Sequence, residues 1–228
     1  DLVMVPTFPY SSQLTVRELL GHRSGLVNYR GTAGYDQGRI ITPEYAVQLS
    51  GNEPLEFEPG SRVSYSSVNY LVLGLLLEQV EGRSFNTMLS ELLNSAGLRS
   101  VRQNSSDPGL PNFSTSGLMM SASELARWAS AMLDLNTPRL SDEAIASMEN
   151  ADPDSTIGEG LEGFCPCTRW GSKVTWTAFG YAGSVTLFEY APATQLSIAI
   201  NISGSLYEPD DREDAVLDLI ENLRQIVG

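Results

Sequence analysis

Apolar positions recur at helical spacing through the first two-thirds of the chain, then give way to runs of β-branched and aromatic residues. Thr15-Val16-Arg17-Glu18 opens a short helix as a capping box: Thr15 caps the start, Glu18 reaches back, and the helix ends near Gly21. Thr42-Pro43 starts a second helix, with proline at its first position and Tyr45, Ala46 and Leu49 following. A third begins at Ser66 or Ser67, with Val68, Leu71, Val72, Leu75 and Leu76 on one face and Gly82 at its end. Ser84 caps a fourth, carrying Phe85, Met88, Leu89, Leu92 and Leu93 to Gly97, so that these two form a helix–turn–helix pair. Residues 99–116 have loop composition. Ser121-Ala122-Ser123-Glu124 is a second capping box, whose helix buries Leu125, Trp128, Ala129, Met132 and Leu133. Ser141 caps a short helix to Met148, and 150–172 reads as another loop.

The period then changes. Val174 to Phe179, Val185 to Tyr190 and Leu196 to Ser203 read as strands, the last two separated by the turn Ala191-Pro192-Ala193-Thr194. Glu213 to Val227 is an amphipathic helix with Val216, Leu219, Ile220, Leu223 and Ile226 on one face. The expected class is α/β of the α+β kind. A mostly helical part, 1–150, precedes antiparallel strands and a C-terminal packing helix, 151–228, within one domain.

Composition narrows the partners. With 42% hydrophobic and 18% charged residues among 228, the chain is globular and not disordered. Its formal net charge of −14 argues against nucleic acid and anionic membranes, which need a basic footprint. No apolar run is long enough to span a membrane; the longest, Tyr70 to Leu77, fits a buried helix. Cys165-Pro166-Cys167 permits free thiols or a strained local bridge, and with a single histidine a zinc site lacks a usual ligand set. Asn104, Asn112 and Asn201 head Asn-x-Ser triplets of a kind that arise by chance. The chain opens Asp1-Leu2-Val3-Met4, without initiator Met or leader, and a processed or truncated start is expected.

One ordered set of segments carries a resemblance. Leu19-Leu20-Gly21-His22-Arg23-Ser24-Gly25-Leu26 looks like an "LLxHxSGL" helix and turn. Pro59-Gly60, Tyr65-Ser66-Ser67 and Asn69-Tyr70 look like a tyrosine-motif region. Gly82-Arg83-Ser84-Phe85, Ala96-Gly97-Leu98 and Ser116-Gly117-Leu118 through Trp128 follow as "TGxSF", "PLGM" and "GGLxSTAxDLARF" segments. Gly180-Tyr181-Ala182-Gly183-Ser184 stands where a His-x-Gly or Lys-Thr-Gly strand is expected, and Asn201 matches an Asn that ends the following strand. Together these resemble the β-lactamase-like, penicillin-recognising serine hydrolases: class C β-lactamases, D-alanyl-D-alanine carboxypeptidases and related esterases. The resemblance implies a β-lactamase/transpeptidase-like fold, an acyl-serine reaction on an ester, amide or peptide, no cofactor, and a secreted or periplasmic setting. It also implies a Ser-x-x-Lys nucleophile helix ahead of the "LLxHxSGL" segment. The only lysine is Lys173, and the residue three before it is Trp170. The chain is therefore expected to be N-terminally incomplete and inactive alone, with the nucleophile on a lost segment or a second chain.

By the same resemblance Tyr65 is the proton-shuttling tyrosine; a tyrosine with no cation beside it ionises near pH ~10. Its alternative is plain packing at a helix start. Ser67 takes the place of an asparagine that binds the substrate amide, and its alternative is a helix cap. Tyr181 replaces a cationic position, which disfavours a carboxylate-bearing substrate. Gly183 admits substrate backbone, and the Ser184 N–H is placed at the oxyanion site. The alternative for these three is an ordinary strand with a glycine bulge. His22 is expected to be structural. A rival to the hydrolase is a catalytically inactive relative kept for binding or assembly.

Overall fold

The computed structural model describes residues 8–36, 38–103, 109–115, 117–133, 141, 143, 169–170, 173–174, 176–181, 184–191, 195–203, 218–219 and 222–223. The chain divides into two compact units, Asp1–Met120 and Ser121–Gly228.

The first unit is built on α1 (Val16–Leu20), a 3-10 turn (Tyr29–Gly31), α2 (Pro43–Gly51), α3 (Val68–Glu81) and α4 (Phe85–Ser95). The starts lie where the polar residues put them. The Thr15 hydroxyl accepts the Glu18 N–H, and the Glu18 carboxylate takes the Thr15 N–H at 2.8 Å, completing the capping box. Thr42 caps α2 through the Tyr45 N–H, with Pro43 at the first helical position, and Ser84 caps α4 through the Thr87 N–H. The core gathers Leu14, Leu19, Leu26, Tyr29, Ala46, Val47, Val68, Leu71 and Val72, with α1 and α2 both packed on α3. Each fully buried aliphatic side chain here contributes about 1.5–3 kcal/mol. Leu75 and Leu76 are half-buried against that core, whereas Leu92, expected on the buried face of α4, is 40% exposed. A two-residue antiparallel pair, β1 (Arg102–Gln103) with β2 (Leu118–Met119), falls partly in the stretch read as loop; such short pieces carry no alternating pattern.

In the second unit α5 (Ala122–Leu133) opens on the expected capping box. The Ser121 hydroxyl accepts the Glu124 N–H at 3.3 Å, and Glu124 Oε2 accepts the Ser121 N–H at 3.2 Å. A short pair, β3 (Arg169–Trp170) with β4 (Lys173–Val174), precedes a meander of β5 (Trp176–Tyr181), β6 (Ser184–Ala191) and β7 (Leu196–Ser203). The register runs from Trp176↔Tyr190 to Tyr181↔Val185, and from Ser184↔Ser203 to Ala191↔Leu196. The first expected strand splits: Lys173–Val174 pairs with β3, and β5 continues two residues past Phe179. α5 packs on β6 and β7, so it belongs with the sheet, and the division into compact units falls between Met120 and Ser121. Most of the expected helix to Met148 lies outside the described residues, among which Glu143 is helical. Of the loop read over 150–172, only Arg169–Trp170 are described, and they form β3. Most of the C-terminal helix also lies outside the described residues; 218–219 and 222–223 are helical.

Gly74 sits inside α3 because another chain segment crosses it. A methyl there would lie 2.5 Å from Phe113 Cε1 and 2.5 Å from Ser114 Oγ, while Ser114 Oγ donates to the Tyr70 carbonyl at 2.6 Å. Helix propensity alone favours alanine by about 1 kcal/mol, but overpacking costs about 1–3 kcal/mol, so the clash decides. Gly74→Ala is expected to lower the urea midpoint, and a rise in that midpoint would contradict the crossing.

Candidate functional site

The turn 22–26 and the segment 56–66 are laced by backbone bonds. The Glu56, Gly60 and Ser64 N–H groups donate to the Gly25, Arg23 and His22 carbonyls at 2.8, 2.8 and 2.9 Å. Gly25 has φ +77°, and a Cβ on it would stand 2.5 Å from the Phe57 carbonyl oxygen, so only glycine lets the two segments approach here. His22 also adopts a positive φ, 52°, which is uncommon for a residue with a side chain.

The reason lies in what the imidazole holds. His22 is fully buried. Its Nδ1 accepts the Ser66 N–H at 3.3 Å and the Asn69 side-chain amide at 2.9 Å. Asn69, also fully buried, accepts the Ser24 hydroxyl on Oδ1 at 2.5 Å, and Ser24 Oγ in turn accepts the Leu26 N–H. Two donors on Nδ1 place the ring proton on Nε2. Tyr65 and Tyr70 flank the ring, with centroids 4.8 and 5.3 Å away, and the Tyr70 hydroxyl donates to the Leu20 carbonyl. His22 is thus the structural residue expected of it.

This clamp carries Tyr65 and Ser67. Tyr65 stays 40% exposed although its neighbours Ser66, Val68 and Asn69 are buried. Ser67 is not the helix cap considered for it: its backbone is helical (φ −61°, ψ −21°) and its side chain makes no capping bond. Its hydroxyl instead donates to Asn28 Oδ1 at 3.2 Å. Asn28 was missed by sequence reasoning; the only local signal was an Asx residue ahead of a turn, where its Oδ1 accepts the Arg30 N–H.

Tyr181 and Ser184 fall in the other unit, at the facing ends of β5 and β6, Tyr181 opposite Val185 and Ser184 opposite Ser203. Gly183 lies outside the described residues, as do Cys165 and Cys167. Among the described residues no His, Cys, Asp or Glu cluster could hold a metal, and no helix is long and apolar enough to cross a membrane.

Helices in one unit and an antiparallel sheet packed by a helix in the other fit the β-lactamase/transpeptidase fold of the solved structures that the chain resembles. Residues 5–223 match the family model described as Beta-lactamase, and the chain belongs to the beta-lactamase family. It is 33% identical over 103 residues to penicillin-binding protein 4* of Bacillus subtilis, covering 43% of this chain and 23% of that one. It is 34% identical over 92 residues to a D-aminopeptidase of Brucella anthropi, covering 38% and 18%. The matched stretch is therefore under a quarter of the length of these curated relatives. Among solved structures it resembles the D-amino acid amidase of Ochrobactrum anthropi (TM-score 0.72, 18% identity, 96% of this chain and 74% of that one). It also resembles a D-stereospecific amidohydrolase of a Streptomyces species (TM-score 0.69, 20% identity, 88% and 71%).

Two outcomes follow from the clamp. Asn69→Ala strands the Ser24 hydroxyl and removes one donor to Nδ1, and is expected to cost about 2–4 kcal/mol in chemical denaturation; a loss under about 1 kcal/mol would contradict the network. Burial also holds the His22 pKa down to about 4 against an ordinary 6.5. Between these values the unfolded chain binds a proton that the folded chain does not, so His22's contribution is complete above pH 6.5 and falls as pH drops toward 4. Urea unfolding is expected to show a loss on the order of 2 kcal/mol from about pH 7.5 to about pH 5, and the loss should shrink in His22→Gln.

Proposed function

We propose that this chain is the greater part of a serine hydrolase domain that cleaves an ester or amide through an acyl-serine. The nucleophile is carried by residues outside these 228, on the same polypeptide or a second chain. Tyr65 is its proton-transfer group. The observation that carries the reading is the contrast at Tyr65: an exposed tyrosine next to the buried Ser66, Val68 and Asn69, with its ring packed against His22. Rigid presentation of one polar group is what proton transfer requires.

The chemistry divides into two half-reactions. The lysine of a Ser-x-x-Lys segment keeps Tyr65 as phenolate. The serine oxygen attacks the acyl carbon as its proton passes to that phenolate, and the alcohol or amine leaves with the proton. Water then attacks the acyl-serine by the same sequence, and the serine oxygen leaves with the proton as the acid is freed. The Ser184 N–H, at the start of β6, is the assigned oxyanion donor, with Tyr181 and Gly183 along the substrate. Tyr181 brings no cation, which favours substrates without a carboxylate at that end. Similarity to a D-aminopeptidase and to a D-amino acid amidase supports a D-amino acyl group on the acyl side.

The test is covalent labelling of the full-length protein with a fluorescent fluorophosphonate. Labelling of a serine, slowed at least about 100-fold in Tyr65→Phe with an unchanged melting temperature, is the expected outcome, since phenylalanine keeps the ring against His22. No labelling in the full-length protein would overturn the hydrolase reading and leave a binding module.

A further inference from the structure

We propose that His22 is a pH-sensitive latch on Tyr65: a proton taken up on Nδ1 breaks the bond to the Ser66 N–H, while Asn69 turns its amide over and stays bonded, so that acid frees the tyrosine and leaves α3 packed. The consequence for catalysis rests on the hydrolase reading above; the latch itself does not.

Two donors converge on Nδ1, the Ser66 N–H at 3.3 Å and the Asn69 side-chain amide at 2.9 Å. Both use the lone pair of that nitrogen, and protonation removes it. The two donors then respond differently. Asn69 carries an acceptor at the other end of its amide. Turned over, its Oδ1 accepts the new Nδ1–H, and its NH2 group faces Ser24 Oγ, an oxygen that already accepts the Leu26 N–H and can accept again once its own hydrogen rotates away. A backbone N–H has no second end. The Ser66 hydrogen is left pointing at a cation, and that contact opens.

Where the break falls decides what moves. Ser66 directly follows Tyr65, whose ring packs on the imidazole with centroids 4.8 Å apart although the residue is 40% exposed. Displacing Tyr65 brings water to the charge, which burial otherwise disfavours. The neighbouring tethers do not involve Nδ1: the Ser64 N–H bonds the His22 carbonyl at 2.9 Å, and the Ser67 hydroxyl bonds Asn28. Val68, Leu71 and Val72 stay in the core. Opening is therefore confined to Tyr65 and Ser66, just ahead of α3. Tyr65 and Tyr70 are the titratable groups whose rings meet the imidazole, and phenols do not titrate in acid. The charged side chains nearby are engaged elsewhere: Glu18 of α1 with Thr15, Arg23 with the Gly60 carbonyl, and Arg62 over the Phe57 ring.

The experiment follows backbone amide exchange of the full-length protein from neutral to acid pH, corrected for intrinsic rates. Protection of the Ser66 amide is expected to fall at least about tenfold, with a midpoint at about pH 4, while Val72 in α3 keeps its protection. Asn69→Asp sets a carboxylate against the Nδ1 proton and should raise that midpoint by at least about one pH unit. His22→Gln has no proton to take up and should keep Ser66 protected where the parent has lost it. If Ser66 and Val72 lose protection together, or Ser66 stays protected until the chain unfolds, the latch is overturned. Fluorophosphonate labelling distinguishes the two readings. Labelling that disappears with the Ser66 midpoint supports both, and labelling that persists with Ser66 open overturns the catalytic consequence. A protein that opens at Ser66 but labels at no pH keeps the latch and ends the hydrolase reading.

Discussion

The candidate site hangs from one buried polar junction: His22 accepting from Asn69, and Asn69 accepting from Ser24. None of the three side chains has appreciable contact with solvent, so each bond lost would leave a buried polar atom unpaired. That asymmetry gives the junction its authority. An apolar trio of similar volume could hold the same elements together, but it would tolerate sliding of α3 against the turn 22–26. Hydrogen bonds of fixed length tolerate much less. The register they impose decides where Tyr65, Ser66 and Ser67 fall, and through Ser67 it reaches Asn28.

The local grammar of the chain was largely legible. Thr15, Thr42, Ser84 and Ser121 mark helix starts because each offers an oxygen to an N–H three residues on, an interaction contained within four residues of sequence. The meander likewise follows from β-branched alternation and a proline-bearing turn. What was not legible depends on distance along the chain. Ser67 has every attribute of a cap, and only a partner 39 residues away explains why it is not one. Gly74 looks like a flaw in a good helix until Phe113 and Ser114 are seen crossing it. α5 reads as one more helix of a helical region, but its partners β6 and β7 lie far downstream, so contact and not sequence adjacency assigns it to the sheet.

Membership of the beta-lactamase family and departure from its familiar residues are both consequences of this division. The segments that resemble the family most closely, His22-Arg23-Ser24-Gly25-Leu26 and Tyr65 to Tyr70, are those that build the junction. Gly25 is required by the approach of Phe57, His22 and Ser24 by Asn69, and Leu26 by the core. The positions that differ, Ser67 and Tyr181, lie outside that junction.

The account is tested most directly by long-range 1H–15N correlation spectroscopy of the single histidine as a function of pH. The junction predicts one slowly exchanging species with the proton on Nε2 and Nδ1 unprotonated, persisting well below the ordinary imidazole pKa, consistent with the value of about 4. A histidine that averages between tautomers and titrates near 6.5 would mean that Nδ1 is not held by Ser66 and Asn69, and the Tyr65 loop would have lost its anchor.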